Sequence, residues 1–507
     1  MPSYYSQEPR SGIQFDIDSS SLPLTWADKM KLNGFTFNER RVLEVANVSA
    51  VDGLMDSDFK DQRIDRVEDE GEDLQNAWRA GRTVVIEGNL EAGNLHSLVN
   101  LRQRLKAALT YPDSKDLWFN RYDSDIDFLV SGAIANDFTS GGFGGSFNFD
   151  AASGWVTNGA ASGYWHSNNP HAQLVENRVI VQKLFVQATV DGNTAENGVF
   201  LKTNPDNLQS SNQWKGIGVW VNCAWSSNFS LFIGKISRSG NTYSKSIYTT
   251  NTHFGTEHAN RTPIWLLATV HKNLLIGQIY DADPINDDGA NLLLEHSYDI
   301  SGVTNPSFGT GQTGSWGILE AAQNTNAKTG IAETRVYSLD PGDIILRKVR
   351  RSSSLSGREA QDSGSYKRPF QVTLRAGDPR MYSRGFLRRS FAPTASGTVY
   401  SKTVSNDGDI ASPPKLVIHG VLGGITITES QTGKQFIFTG SIASGKYLVV
   451  DFANRTAIDS DGNDRSGEIS PSSNLKTIGV GDSTITVTAT SVGSGAFVHF
   501  DLYNTWA

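Results

Sequence analysis

"KRPFQVTLRAGDPRMYSRG", residues Lys367–Gly385, decides how this chain reads. From Lys367 to Ala376 polar and apolar residues alternate with the period of two that a half-buried strand requires. Phe370, Val372, Leu374 and Ala376 share one side of it. Gly377-Asp378-Pro379 then ends the strand. Proline fixes its own φ and lacks an N–H, and it pushes the preceding residue into an extended conformation, so the chain turns there. A strand and turn this well defined sit late in a 507-residue chain, inside a run of arginines. What precedes them must explain the position.

The totals narrow the field. A chain of 507 residues exceeds one core, and three domains are expected. With 49 glycines and abundant Ser, Thr and Asn, the composition suits short strands joined by turns, a mainly β fold. The net charge of −8 speaks against nucleic-acid binding by bulk electrostatics. The single cysteine, Cys223, allows no intrachain disulfide and no cysteine zinc site. The N-terminal "MPSYYSQEPRSGIQFDIDSSS" lacks a basic region followed by an apolar run, so no secretory signal is expected. The most apolar stretch, Ile264–Ile279, is broken by His271, Lys272 and Asn273, and no membrane span is expected.

Residues 1–130 mix strand and helix. "RTVVIEGNLEAG" (Arg82–Gly93) reads as a strand. A helix follows, with Asn94 as N-cap, Leu98, Leu101, Leu105 and Ala108 on one face, and Pro112 beyond its end. "KDQRIDRVEDEGED" (Lys60–Asp73) reads as a solvated arm. From Ser131 the composition shifts to Gly, Ser and Asn, and the chain to Asp340 reads all-β. "GIGVWVNCAW", "FSLFIGKIS" and "YSKSIYTT" form a meander, and "WLLATVHKNLLIGQIYD" (Trp265–Asp281) a hairpin turning at His271-Lys272-Asn273. Apolar residues on both strand faces suit a two-sheet sandwich. After a basic linker and the opening strand, "PTASGTVYSKTVSNDGD" marks a boundary. Six short strands from "PKLVIHG" to "AFVHFDLY" then read as a small β-sandwich.

Chemistry is sparse. No Gly-x-Ser-x-Gly elbow, phosphate-cradling loop or His-Glu-x-x-His pair occurs, and no strand of the middle region carries alternating acids. No catalytic residue, cofactor or metal is assigned. "DADPINDDG" (Asp281–Gly289) and "DSDGND" (Asp459–Asp464) space their aspartates as calcium loops do but lack the closing glutamate. Both read as polar turns whose carboxylates bind local amides. Seven of the eleven tryptophans lie between Ser131 and Asp340, which invites a sugar-binding reading. Tyr164, Trp165, His166 and Trp225, near predicted loops, are the candidates; core packing is the alternative, and it is the stronger reading for Trp220 and Trp265. Arg347, Arg350, Arg351 and Arg380 are candidates for a subunit or partner interface, with the acidic Glu68–Asp73 as a counterpart.

"RPFQVTLRAGDPRMY" resembles the end of the N-terminal domain of distal tail proteins of long-tailed non-contractile phages. "RTVVIEGNLEAGNLHSLVNLRQRLKAAL" resembles the strand-then-helix segment of that family. "NDGDIASPPKLVIHG", "TGKQFIFTGSIASGKYLVVDFANRTAI" and "LKTIGVGDSTITV" resemble its C-terminal galectin-like sandwich. One hairpin departs from the pattern: Asn474-Leu475 stands where the family often has a tryptophan, and Val480-Gly481 lacks the proline. The middle region resembles a laminin-G or concanavalin-like sandwich, through "WLLATVHKNLLIGQIYD" and "GSWGILEAAQNTNAKTGIAETRVYSL".

These resemblances imply a split N-terminal ring-forming domain (1–130 with 341–392), with one helix. They imply an inserted jelly-roll or laminin-G-like sandwich (131–340) and a C-terminal sandwich (393–507). They further imply a non-enzymatic virion protein of the tail tip or baseplate. Its hexameric ring would contact the tail tube, tail-tip hub and tape-measure proteins, and the genome would pass through the lumen. The insert would project towards host cell-wall carbohydrate. A free glycan-binding lectin or a sandwich glycoside hydrolase is the alternative.

Overall fold

The computed structural model describes residues 29–33, 35–37, 44–52, 59–60, 63–65, 72–74, 78–79, 81–109, 115–120, 128–129, 147–150, 155–158, 163–166, 177–188, 194–203, 213–224, 228–239, 242–254, 263–301, 315–322, 327–340, 343–352 and 366–506. The fold is mainly β, with one α-helix among the described residues. The chain divides into two compact units. One holds Pro2–Asp123, Pro341–Arg384 and Thr505–Ala507; the other holds essentially Ser124–Asp340 and Gly385–Asn504.

The first unit is built on an antiparallel sheet drawn from both ends of its sequence. Its order is Phe35–Phe37, Lys29–Leu32, Lys115–Asn120, Asp343–Arg351, Lys367–Ala376, Arg82–Ala92, Glu44–Asp52. Asn120 and Asp343 face each other in register, although the whole middle region separates them in sequence. The opening strand, Lys367–Ala376, pairs along its length with Arg82–Ala92. Its buried side is the alternating set: Phe370, Val372, Leu374 and Ala376 join the core with Val84, Ile86 and Leu90. The helix Leu95–Leu109 adds Leu98, Leu101, Leu105 and Ala108. Its start is capped as the sequence suggests, the Asn94 Oδ1 accepting the Ser97 N–H at 2.8 Å. Gly88 is required by a close approach, because a Cβ there would lie 1.9 Å from the Asn47 carbonyl oxygen. In and around the segment read as a solvated arm lie two short strand pairs outside this sheet, Phe59–Lys60 with Trp78–Arg79 and Arg63–Asp65 with Glu72–Leu74.

The Gly377-Asp378-Pro379 turn is fastened from several sides. Asp378 accepts the Arg380 N–H at 3.1 Å and the Tyr382 hydroxyl at 2.5 Å, while the Arg82 Nε donates to the Pro379 carbonyl at 2.8 Å. Burial, and the Asp378 carboxylate beside it, push the Tyr382 hydroxyl pKa up. The chain leaves the turn as Met381–Ser383, which pairs back onto Asp343–Arg351 and also holds Thr505–Trp506.

The second unit contains two sandwiches. In the first, one sheet runs Phe147–Asp150, Trp155–Asn158, Ala327–Ser338, Arg178–Ala188, Ile264–His271, Leu274–Tyr280, Leu292–Asp299. The facing sheet runs Gly163–His166, Ser315–Ala322, Thr194–Thr203, Gln213–Ala224, Asn228–Ser239, Thr242–Phe254. Val199, Val219, Leu231, Leu266, Leu275 and Val336 fill the space between them. The meander and the hairpin of the sequence reading are present, the hairpin turning at Lys272 with φ +53°. Trp220 is 1% and Trp265 8% exposed, so both pack as core. Trp265 belongs to a second, smaller cluster with Val179, Leu267, Tyr280 and Ala290.

The other sandwich pairs the sheet Leu387–Phe391, Phe497–Leu502, Lys415–His419, Tyr447–Asp451, Thr456–Asp459 with the sheet Tyr400–Asn406, Gly481–Val492, Leu422–Glu429, Gln435–Ile442. All six strands read from the sequence are here. Three more join them: Leu387–Phe391, Tyr400–Asn406 and Thr456–Asp459. Leu416, Ile427, Phe436, Phe438, Val487 and Phe500 form its core.

Candidate functional site

Tyr164, Trp165 and His166 lie on the edge strand Gly163–His166, opposite Leu319, Ile318 and Gly317. Trp225 lies outside the described residues. The strand that precedes it, Gln213–Ala224, is three strand spacings from Gly163–His166, about 14 Å at the usual spacing.

The arginine run divides among three environments. Arg347 lies over the Tyr382 ring, 4.2 Å from its centroid, and Arg380 pairs with Asp378 at 3.5 Å, so both are engaged at the Gly-Asp-Pro turn. Arg350 and Arg351 are exposed, and neither has an ion-pair partner among the described residues. Arg350 stands directly opposite Arg375, itself exposed. Like charges in that position repel, and a partner of opposite charge would relieve them. The acidic counterpart suggested by the sequence, Glu68–Asp73, falls mostly outside the described residues. Arg388 belongs to neither group: its side chain is 4% exposed and is locked to Asp501.

The aspartate clusters act as turns. In the first, Asp281 accepts the Asn291 N–H at 2.7 Å, Asp283 the Ile285 N–H at 3.0 Å, and Asp287 the Gly289 N–H at 2.8 Å. Arg335 pairs with Asp283 at 2.5 Å. In the second, Asp459 accepts the N–H groups of Asp461 and Asn463, and Asp461 pairs with Lys446.

The sequence reading missed the surface that joins the two sandwiches. The Asp281–Asn291 turn and the Leu274–Tyr280 and Leu292–Asp299 strands meet the C-terminal sandwich through polar contacts. Arg388 grips Asp501 with two hydrogen bonds of 2.7 and 2.6 Å and donates a third, of 2.8 Å, to the Pro284 carbonyl. Burial disfavours its charge, but Asp501 and Tyr280 outweigh burial and raise its pKa. Gln278 donates to the Ser390 hydroxyl and to Glu295, and Glu295 also binds Lys402. Lys415 pairs with Asp288 at 2.7 Å. His271 and Lys272 meet Asp407 at 2.5 and 2.7 Å. Burial opposes ionisation of Asp407, yet these two groups hold its carboxyl well below the usual carboxylate range. His419 stacks on Phe497 with centroids 4.2 Å apart. Burial, helped by the Arg388 charge, pushes its imidazole down to about 4, although the Asp288 backbone works the other way. The only sequence signal for this surface was indirect: two adjacent arginines inside a short apolar stretch, "FLRRSF".

No protein-family profile and no curated protein matches the chain. Among solved structures, the Dit (gp 19.1) protein of phage SPP1, described as a paradigm of the hub adsorption apparatus in phages infecting Gram-positive hosts, is 7% identical. It aligns over 94% of this chain and 99% of its own, with a TM-score of 0.37. The legume lectin-like domain from Entamoeba histolytica is 11% identical over 42% of this chain and 96% of its own, TM-score 0.26. The CBM2 module of the evolved Dit of Lactobacillus casei BL23 phage J-1 is 9% identical over 47% of this chain and 92% of its own, TM-score 0.25. The structural neighbours thus include phage Dit hub proteins and lectin-like domains, at low identity and low structural overlap.

Proposed function

We propose that this chain is a non-catalytic structural protein of a phage tail tip, a distal tail protein whose inserted sandwich binds host cell-wall glycan. The observation that carries the proposal is the register of Asn120 against Asp343. The host sheet closes across a long insertion, and Lys367–Ala376, which follows Asp343–Arg351 in the chain and lies beside it in the sheet, is the strand whose sequence resembles the distal tail family. The domain limits 1–130 with 341–392, 131–340 and 393–507 belong to this proposal, save that the strand Leu387–Phe391 pairs within the C-terminal sandwich. So does assembly into a ring of six, which requires head-to-tail contacts that close by rotation. Two features support such contacts: the exposed Arg350, Arg351 and Arg375, and the exposed Leu95 and Val99, one helical turn apart. Tyr164, Trp165, His166 and Trp225 remain the proposed glycan contacts. Tail tube, tail-tip hub and tape-measure proteins are the proposed partners, and the tail tip of the virion the proposed location.

The test is the solution mass of the full-length protein together with negative-stain images. A ring of about six copies with a central hole is the expected result. A monomer that binds soluble wall glycan tightly would instead identify a free lectin.

A further inference from the structure

Where the two sandwiches of the second unit meet, their interface opens into a cleft with a volume of about 800 Å³. One wall is Leu292–Ser297; the other is formed by Ala392–Thr394 and the Val492–Phe497 turn, with Lys402 between. The first wall is unusual because Leu292–Asp299 ends its sheet. Among the described residues it has one sheet neighbour, Leu274–Tyr280. Its other edge carries a row of main-chain N–H and C=O groups of the kind that pairs with a further strand.

The side chains around the cleft leave little for a sugar or an ion to grip. Glu295 and Lys402 neutralise each other. His296 bonds the Thr249 hydroxyl, Ser390 bonds His499, and Thr394 bonds Tyr400. The one aromatic lining residue, Phe497, is 5% exposed and already stacked on His419. The rest of the lining is small or apolar: Leu292–Leu294 and Ser297 of the edge strand, Ala392 and Pro393, and the Val492–Ala496 turn. Size agrees. A strand residue occupies roughly 4.8 × 10 × 3.3 Å, about 160 Å³, so the cleft holds about five residues of extended chain. The cleft also continues the sandwich-to-sandwich interface, since Glu295, Ser390 and Lys402 belong to both.

We propose that this cleft accepts a short, extended, uncharged segment of a second polypeptide as an added strand along Leu292–Ser297. Main-chain hydrogen bonds would supply affinity, and alternate small apolar side chains would point at Ala392 and Val492.

The test pans a random hexapeptide library against the full-length protein and measures the enriched peptides by fluorescence anisotropy. Ala392→Trp and Ser494→Trp, both at exposed positions, each place an indole in the cleft. Two variants from different chain segments guard against one failing to fold. The expected result is enrichment of uncharged, β-branched sequences, at least tenfold weaker binding to either folded variant, and slowed amide exchange at Leu292–Ser297 on binding. Peptides that bind both variants as well as the parent, or failure to enrich any, would overturn the proposal. So would binding of soluble N-acetylglucosamine oligomers that is lost in both variants while peptides are ignored, because the cleft would then be a glycan site.

Discussion

Arg388→Met is the perturbation from which most can be learned. The guanidinium and the Asp501 carboxylate are 4% and 2% exposed. Removing the arginine leaves a carboxylate buried with no counter-charge, which costs about 3–5 kcal/mol. The Pro284 carbonyl loses a hydrogen bond as well, worth about 1 kcal/mol. Replacing both partners in Arg388→Met/Asp501→Leu removes the uncompensated charge, so the double variant should lose only about 1–2 kcal/mol. Urea unfolding of the parent, the two single variants and the double variant completes the cycle. Calorimetry then reports the size of the cooperative unit. Unfolding entropy is about 2.1 cal/mol/K per residue near 60 °C. A loss of 4 kcal/mol therefore lowers the midpoint by about 16 °C if Gly385–Asn504, about 120 residues, unfolds alone. The drop is only about 6 °C if both sandwiches, about 340 residues, unfold together. The contacts through Pro284, Asp288 and Glu295 predict the smaller shift in a single transition. A single variant that loses less than 1 kcal/mol, or a double variant as unstable as the singles, would refute the reasoning about the pair. Two separate transitions with only one displaced would refute the coupling.

Acid should loosen the same surface. The His419 imidazole has a folded pKa of about 4 against about 6.5 unfolded, so the unfolded chain takes up its proton first. The stability it contributes is full above about pH 6.5 and falls by about 3 kcal/mol towards pH 4; urea midpoints across that range check this, and His419→Phe should flatten the curve. Asp378→Ala strips the buried Tyr382 hydroxyl of its acceptor and should cost about 1–3 kcal/mol, most of it recovered in Asp378→Ala/Tyr382→Phe; urea unfolding of the three variants decides. Gly88→Ala drives a methyl into the Asn47 carbonyl and should destabilise the first unit by at least about 1–3 kcal/mol, measured as a lower melting midpoint. Arg350→Glu/Arg351→Glu should weaken ring assembly and change its dependence on salt, read by sedimentation at several ionic strengths; an unchanged salt dependence would count against the basic patch as an interface.

The legible parts of the fold are those where one local rule sufficed. Alternation exposed Lys367–Ala376 and Arg82–Ala92, the Asn94 cap and leucine spacing exposed the helix, and turn residues separated the six tail strands. Leu387–Phe391 escaped because "LRRSF" has neither period: all five residues are buried, two of them arginines. A sequence reader assigns adjacent arginines to a surface, and only the facing Asp501, more than a hundred residues away, makes a buried position tolerable for one of them. Its pairing with Phe497–Leu502 also places this strand in the C-terminal sandwich, although a boundary at 392 leaves it with the host domain. The aspartates of Asp281–Gly289 show the converse. They read as polar turns binding local amides, and they do so, but their ion-pair partners Arg335 and Lys415, from distant strands, had no signal in the sequence.

The polar character of the surface between the sandwiches bears on how freely they can move. An apolar seam would tolerate sliding, because area alone rewards it. A seam of paired charges and directed hydrogen bonds does not: shifting Arg388 away from Pro284 and Asp501, or His271 away from Asp407, leaves desolvated groups without partners. Such pairs add little net stability over apolar packing, but they penalise every other arrangement. The first sandwich is therefore held on the C-terminal sandwich in one orientation. Its edge strand Leu292–Asp299 faces Ala392–Thr394 only while that orientation persists. Residues 131–340 expressed alone would expose Tyr280 and Gln278 and lose one wall of the cleft. Binding measured on that fragment would then report on the outer faces of its own sandwich, and only the full chain can report on the cleft.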